Sequence, residues 1–235
     1  MWGAVGASAL LVGALVAYLS RPSRHFIAAV MALGSGLLIG SVAFELIDEA
    51  VLNAEVARVG LFTLVGALVF TVGDWWLDHR GGDARKDADG AQSEGSPLGI
   101  VLGSVLDGIP ESFVLGLTVL QGGVSVALLT GVVLSNFPEG MSSSSGLRRA
   151  GWPRSRVVNM WLLVVLASAF SAAAGYAFLD PTLGRTGAAV EAFAAGALLA
   201  MVADTMLPEA FDVEGVFTGA LVAIGFSISL MLSAV

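Results

Sequence analysis

The sequence predicts an all-α membrane protein with eight transmembrane helices in a 3+2+3 inverted-repeat arrangement. Three observations predict it. The chain has 235 residues, of which 56% are hydrophobic and only 13% charged, whereas soluble domains carry about 25% charged residues. Eight segments approach the roughly 20 apolar residues that a helix needs to cross a bilayer. They are 2–19, 26–47, 60–79, 98–120, 123–147, 156–179, 187–210 and 213–235. Finally, segments repeat: the fourth and fifth match at an offset of 28 residues, and the second and seventh at an offset of 160.

The first segment opens Met1-Trp2-Gly3-Ala4, without a positive n-region. It reads as a span and not as a removed signal peptide. The second and seventh carry Gly34-Ser35-Gly36 and Ala194-Ala195-Gly196, small residues that let helices approach closely. The third ends near Trp75 and Trp76, an aromatic belt at the membrane interface, with Asp74 read as part of the belt and His79 as an ordinary interface residue. The link over about 80–97 is nearly devoid of apolar residues; it cannot bury a core and is expected to be disordered. The remaining links are short and rich in Gly, Pro, Asp and Arg, so 1–235 reads as a single transmembrane domain.

Basic residues set the orientation. Arg21, Arg24, Arg80, Arg85, Lys86, Arg148, Arg149, Arg154 and Arg156 all fall in odd-numbered links, and only Arg58 and Arg185 fall on the other side. Both termini are therefore expected outside, with the 80–97 link in the cytoplasm and the protein in the cell (inner or plasma) membrane. The second and seventh segments then run in opposite directions, as do the fourth and fifth. That is the mark of an inverted-repeat transporter with its site near the midplane. The net charge of −8 argues against a nucleic-acid partner or a polybasic lipid site. With no cysteine, disulfides and thiolate ligands are excluded.

Two related motifs interrupt the apolar fourth and fifth segments: Leu106-Asp107-Gly108-Ile109-Pro110-Glu111-Ser112 and Leu134-Ser135-Asn136-Phe137-Pro138-Glu139-Gly140. A carboxylate in hydrocarbon is expensive and marks an ion pathway by default. A proline beside it frees a backbone carbonyl. Asp107 and Glu111 share a helix face, as do Ser135 and Glu139, at a spacing of four. If these two helices pack side by side, Asp107, Glu111, Ser135, Asn136 and Glu139 converge. Like charges repel there, and a divalent cation relieves the repulsion. Oxygen ligands favour harder ions such as Mn²⁺, Mg²⁺ or Fe²⁺, and Zn²⁺ also accepts carboxylates. Glu45, Asp48 and Glu49 on the second helix, and Asp204 and Glu209 on the seventh, lie toward span ends and are candidate pathway residues. Ser142 to Ser145 offer hydroxyls for an exit path or for packing between helices.

The two motifs resemble the paired His-Asn-x-Pro-Glu-Gly and x-Asp/Asn-x-Pro-Glu-Gly signatures of the ZIP (zinc/iron-regulated transporter-like) metal transporters. The seventh helix, from Ala195 to Ala210, is also similar to that family's seventh helix, and the resemblance extends over essentially the whole chain. It implies a divalent metal ion (zinc, iron or manganese) as substrate, no organic cofactor, homodimers, and passage by rocking or sliding of one helix group. Under it Asp107 stands where the first histidine usually is, Gly108 where asparagine is, and Ser135 where His or Gln is; Glu111, Asn136 and Glu139 match. Ser168 stands in place of the family's helix-six glutamate. His25 and His79 lie only at span ends, which weakens a preference for zinc.

The leading expectation is a divalent-metal transporter. The alternative is a non-transporting relative that binds or senses metal. An intramembrane enzyme has no His-Glu-x-x-His motif, paired Gly-Asp motif or Ser/His dyad to support it, so the chain is read as no enzyme.

Overall fold

A computed structural model describes residues 1–77, 79, 97–120, 123–178 and 184–234. These residues form eight helices with no strand among them: α1 (Trp2–Leu19), α2 (Arg24–Asn53), α3 (Val56–Leu77), α4 (Pro97–Leu120), α5 (Val126–Arg149), α6 (Arg154–Phe178), α7 (Gly184–Glu214) and α8 (Phe217–Ser233). The 80–97 link lies outside the described residues except for Pro97, which opens α4.

Six helices, all but α5 and α8, are long and apolar enough to cross a membrane, which fits an integral membrane protein. The fifth segment, read as an apolar span, differs for a physical reason. Ser135, Asn136, Glu139 and all of Ser142 to Ser145 are buried by neighbouring helices, and polar groups at membrane depth are tolerated where protein covers them. The eighth segment is shorter than 213–235. Gly215 breaks the chain with φ 57°, so Val213 and Glu214 end α7.

Punctuation is local. Pro22 cannot continue α1, and the Ser23 hydroxyl caps α2 by accepting from the Phe26 amide at 3.2 Å. Ser125 caps α5 in the same way, accepting from the Leu128 amide at 3.1 Å. The Arg148 guanidinium donates to the Ala17 carbonyl, one of the orphan acceptors that close α1.

The two longest helices each contain a π-helical turn, Val42–Ile47 in α2 and Val202–Met206 in α7. Their starts are related by the same offset of 160 residues as the sequence repeat. In α7 a cause is visible: Pro208 has no amide hydrogen and leaves the Asp204 carbonyl without its helical donor. Such turns concentrate at functional sites. Each holds an acidic residue, Glu45 or Asp204.

Glycine decides which helices touch. Gly13 of α1 lies against the Phe137 carbonyl of α5, and Gly140 of α5 against the Leu10 carbonyl of α1. The same reciprocal contact joins α2 to α8 through Gly36 and Gly225, α3 to α7 through Gly66 and Gly196, and α4 to α6 through Gly116 and Gly175. In each case a β-carbon would run into backbone of the facing helix. The largest apolar core lies among α2, α4, α5 and α7. A second joins α1, α5 and α6 around the fully buried Trp161, whose indole nitrogen donates to the Ser144 hydroxyl at 2.8 Å. The outward faces carry exposed Leu61, Leu64, Leu68 and Val72 on α3 and Leu163, Leu166 and Phe170 on α6, as lipid-facing helix surfaces do.

Candidate metal centre

Helices α4 and α5 do not lie flush along their length; the closest backbone partner of α5 is α1, and that of α4 is α6. They meet instead through their polar residues. On α4, Ser104, Asp107 and Glu111 follow one another at helical spacing, and all three are at most 3% exposed. Opposite them on α5 sit Ser135, Asn136 and Glu139, at most 7% exposed. The helices run antiparallel, so the stripes meet in opposite order.

Glu111 engages both neutral residues of α5. Its Oε1 accepts from the Ser135 hydroxyl at 3.0 Å, and its Oε2 accepts from the Asn136 amide at 3.2 Å. The Asn136 amide also reaches the Gly6 carbonyl of α1 at 3.4 Å. One turn or more away, Glu139 Oε1 accepts from the Ser104 hydroxyl at 2.8 Å. Asp107 lies between these two connections along α4 and is buried at 2% exposure.

Among the described residues, no three His, Asp or Glu side chains gather into a group that could hold a metal ion. Glu111 is engaged by Ser135 and Asn136, and Glu139 by Ser104. All five predicted residues do lie in one buried layer between α4 and α5.

The prolines shape this layer. Pro138 cannot donate to the Leu134 carbonyl, and that oxygen lies against Gly34 of α2, 2.6 Å from where a β-carbon would stand. Gly108 faces Ser168 of α6, whose hydroxyl oxygen would be 3.3 Å from a β-carbon there. Two of the positions that depart from the resembled pattern, Gly108 and Ser168, are thus neighbours, and Ser168 is buried at the side of the layer.

The other pathway candidates lie elsewhere. Glu45, Asp48 and Glu49 line a cavity of about 290 Å³ with Phe44, Thr118 of α4, and Gly123 and Ser125. Thr118 is seven residues beyond Glu111 on α4, so the cavity stands about two turns from the buried layer. Asp204 is on the exposed side of its π turn and accepts from the Thr71 hydroxyl of α3 at 3.0 Å; Glu209 is partly buried on α7. Neither is brought to the α4–α5 layer. His25 is exposed and pairs with Glu214 at 2.9 Å, and His79 bonds the Trp75 carbonyl at 2.8 Å; both are surface groups as expected.

Three residues were not singled out correctly by sequence. Ser104 precedes Asp107 by three positions, and that helical spacing was the available signal. Asp74 is not part of an exposed belt: Trp75 and Trp76 are 58% and 46% exposed, but Asp74 is 7% exposed and turned inward. Its neighbour Gly73 abuts Leu106 of α4. Glu191, buried on α7 at 4% exposure, lies early in a helix whose small-residue pattern drew attention elsewhere. No family model and no characterised protein matches this sequence.

Proposed function

We propose that this chain is a transporter of divalent metal ions, which pass through the carboxylate layer between α4 and α5. The observation that carries the proposal is the burial of Asp107 and Glu111, in the middle of the apolar helix α4, against Glu139, Ser135 and Asn136 of α5. Isolated carboxylates are not kept at such positions without a function or a partner that repays their desolvation. The donors that now engage Glu111 are also metal ligands. A serine hydroxyl presents its lone pairs by rotation, and an asparagine presents its carbonyl oxygen when the amide turns. A cation entering the layer would take the place of these donors and draw the carboxylates together.

The rest of the molecule fits a path. The cavity lined by Glu45, Asp48 and Glu49 concentrates cations at one end, and it is read as the outer vestibule with both termini on the same, extracytoplasmic side. The paired π turns, and the pairing of α1 with α5, α6 with α4, α2 with α8 and α7 with α3, support a reading as an inverted repeat of three helices about a central pair. Asp107 supplies a hard anionic oxygen where resembled sequences carry imidazole. Manganese and iron are therefore accepted alongside zinc.

Purified protein in liposomes is expected to admit Mn²⁺ down its gradient with saturable flux. Saturable binding without flux would identify a metal sensor of the same fold, and neither binding nor flux would reject both readings. Asp107→His is expected to raise the preference for Zn²⁺ over Mn²⁺ in a competition assay. An unchanged ratio would remove Asp107 from the ligand set.

A further inference from the structure

Ser104 belongs to neither motif, yet its hydroxyl reaches across from α4 to Glu139, the carboxylate of α5. The contact is short, 2.8 Å from Ser104 Oγ to Glu139 Oε1, and both residues are buried, at 3% and 7% exposure. Some serines in these helices bond backwards to a carbonyl of their own helix, as Ser35 and Ser227 do. Ser104 instead spans two helices. Its position three residues before Asp107, with Glu111 four residues beyond that, puts it at the end of the acidic stripe on the same face of α4.

We infer that Ser104 is a positioning residue of the metal centre, fixing the Glu139 carboxylate so that divalent ions bind tightly; the inference rests on the proposed transport reading. A carboxylate on a long side chain loses rotamer freedom when it ligates an ion. A donor on one of its oxygens fixes the group in advance, which is the usual work of a ligand's supporting partner. The same hydroxyl joins α4 to α5 at the point where Pro138 interrupts the α5 ladder, so it orients Glu139 across an otherwise weakened turn. Ser135 and Asn136 perform the corresponding task for Glu111, and Ser104 makes the arrangement two-sided.

The test measures Mn²⁺ affinity of the full-length purified protein by calorimetry, for wild type, Ser104→Ala, Ser104→Thr and Glu139→Ala. Ser104→Ala is expected to weaken Mn²⁺ binding about 10–100-fold, the range for removing a ligand's supporting partner. Ser104→Thr, which keeps the hydroxyl, is expected to restore most of it. Metal-free unfolding of the alanine variant reports folding separately. Wild-type affinity in Ser104→Ala overturns the inference, and so does equal weakening in the alanine and threonine variants, which would indicate packing alone. If Glu139→Ala abolishes binding while Ser104→Ala leaves it intact, only the role of Ser104 falls. If wild type and Glu139→Ala show the same absence of binding, the transport reading falls with it.

Discussion

Glu111→Ala and Glu139→Ala are each expected to abolish the thermal stabilisation that a divalent ion gives the purified protein. An ion at 100 times its dissociation constant stabilises the folded state by about 2.7 kcal/mol, on the order of 5–10 °C in midpoint for a chain of this length. That increment vanishes if an anionic ligand is lost. Glu111→Ala has a second effect, because it leaves the Ser135 hydroxyl and the Asn136 amide without their shared acceptor. Ser135 keeps the Val132 carbonyl at 2.9 Å and Asn136 the Gly6 carbonyl at 3.4 Å as remaining acceptors, so the metal-free variant should melt only slightly earlier, by less than the about 1–3 kcal/mol of a wholly unsatisfied buried donor. The informative quantity is the difference with and without Mn²⁺, measured for each protein separately. An undiminished difference in both variants would sink the site between α4 and α5.

The largest loss of stability is expected from Gly196→Ala. A β-carbon at 196 would run into the Thr63 carbonyl of α3, and carbonyl oxygen on a helix backbone cannot move aside without moving the helix. The reciprocal contact at Gly66 with the Phe193 carbonyl means that both backbones must separate. Overpacking of this kind costs about 1–3 kcal/mol, occasionally more, against a gain of up to about 1 kcal/mol from alanine's helix propensity. Gly219→Ala provides the control, since nothing lies within 4 Å of a β-carbon there. It should be neutral or slightly stabilising. Unfolding midpoints in detergent for the two variants test this, and equal midpoints would mean that the glycine contact between α3 and α7 does not hold the helices together.

How far the sequence could be read varies with the residue concerned. Six of the eight helices were legible because apolar length is a one-dimensional property. Even so, Arg24–Asn53 and Gly184–Glu214 run longer than the expected spans 26–47 and 187–210, since a helix keeps its backbone bonds beyond its apolar residues. The inward turn of Asp74 was not legible, because its neighbours Trp75 and Trp76 do face outward and only the register of α3 against α4 separates them. Ser104 was overlooked because a serine in a helix is common, and its meaning comes from Glu139, 35 residues away.

The sequence by itself determined an all-helical membrane chain and the carboxylates that interrupt it, because hydrophobic length and buried charge are costs each residue carries wherever it packs. Only the tertiary structure decided which helices pair, since a glycine face accepts any partner that offers a matching backbone and many helices here carry one. It alone decided that Ser104 bonds Glu139 while Ser135 and Asn136 bond Glu111, because a hydrogen bond depends on the relative rotation and depth of two helices. Neither quantity is written in the spacing of residues along one of them.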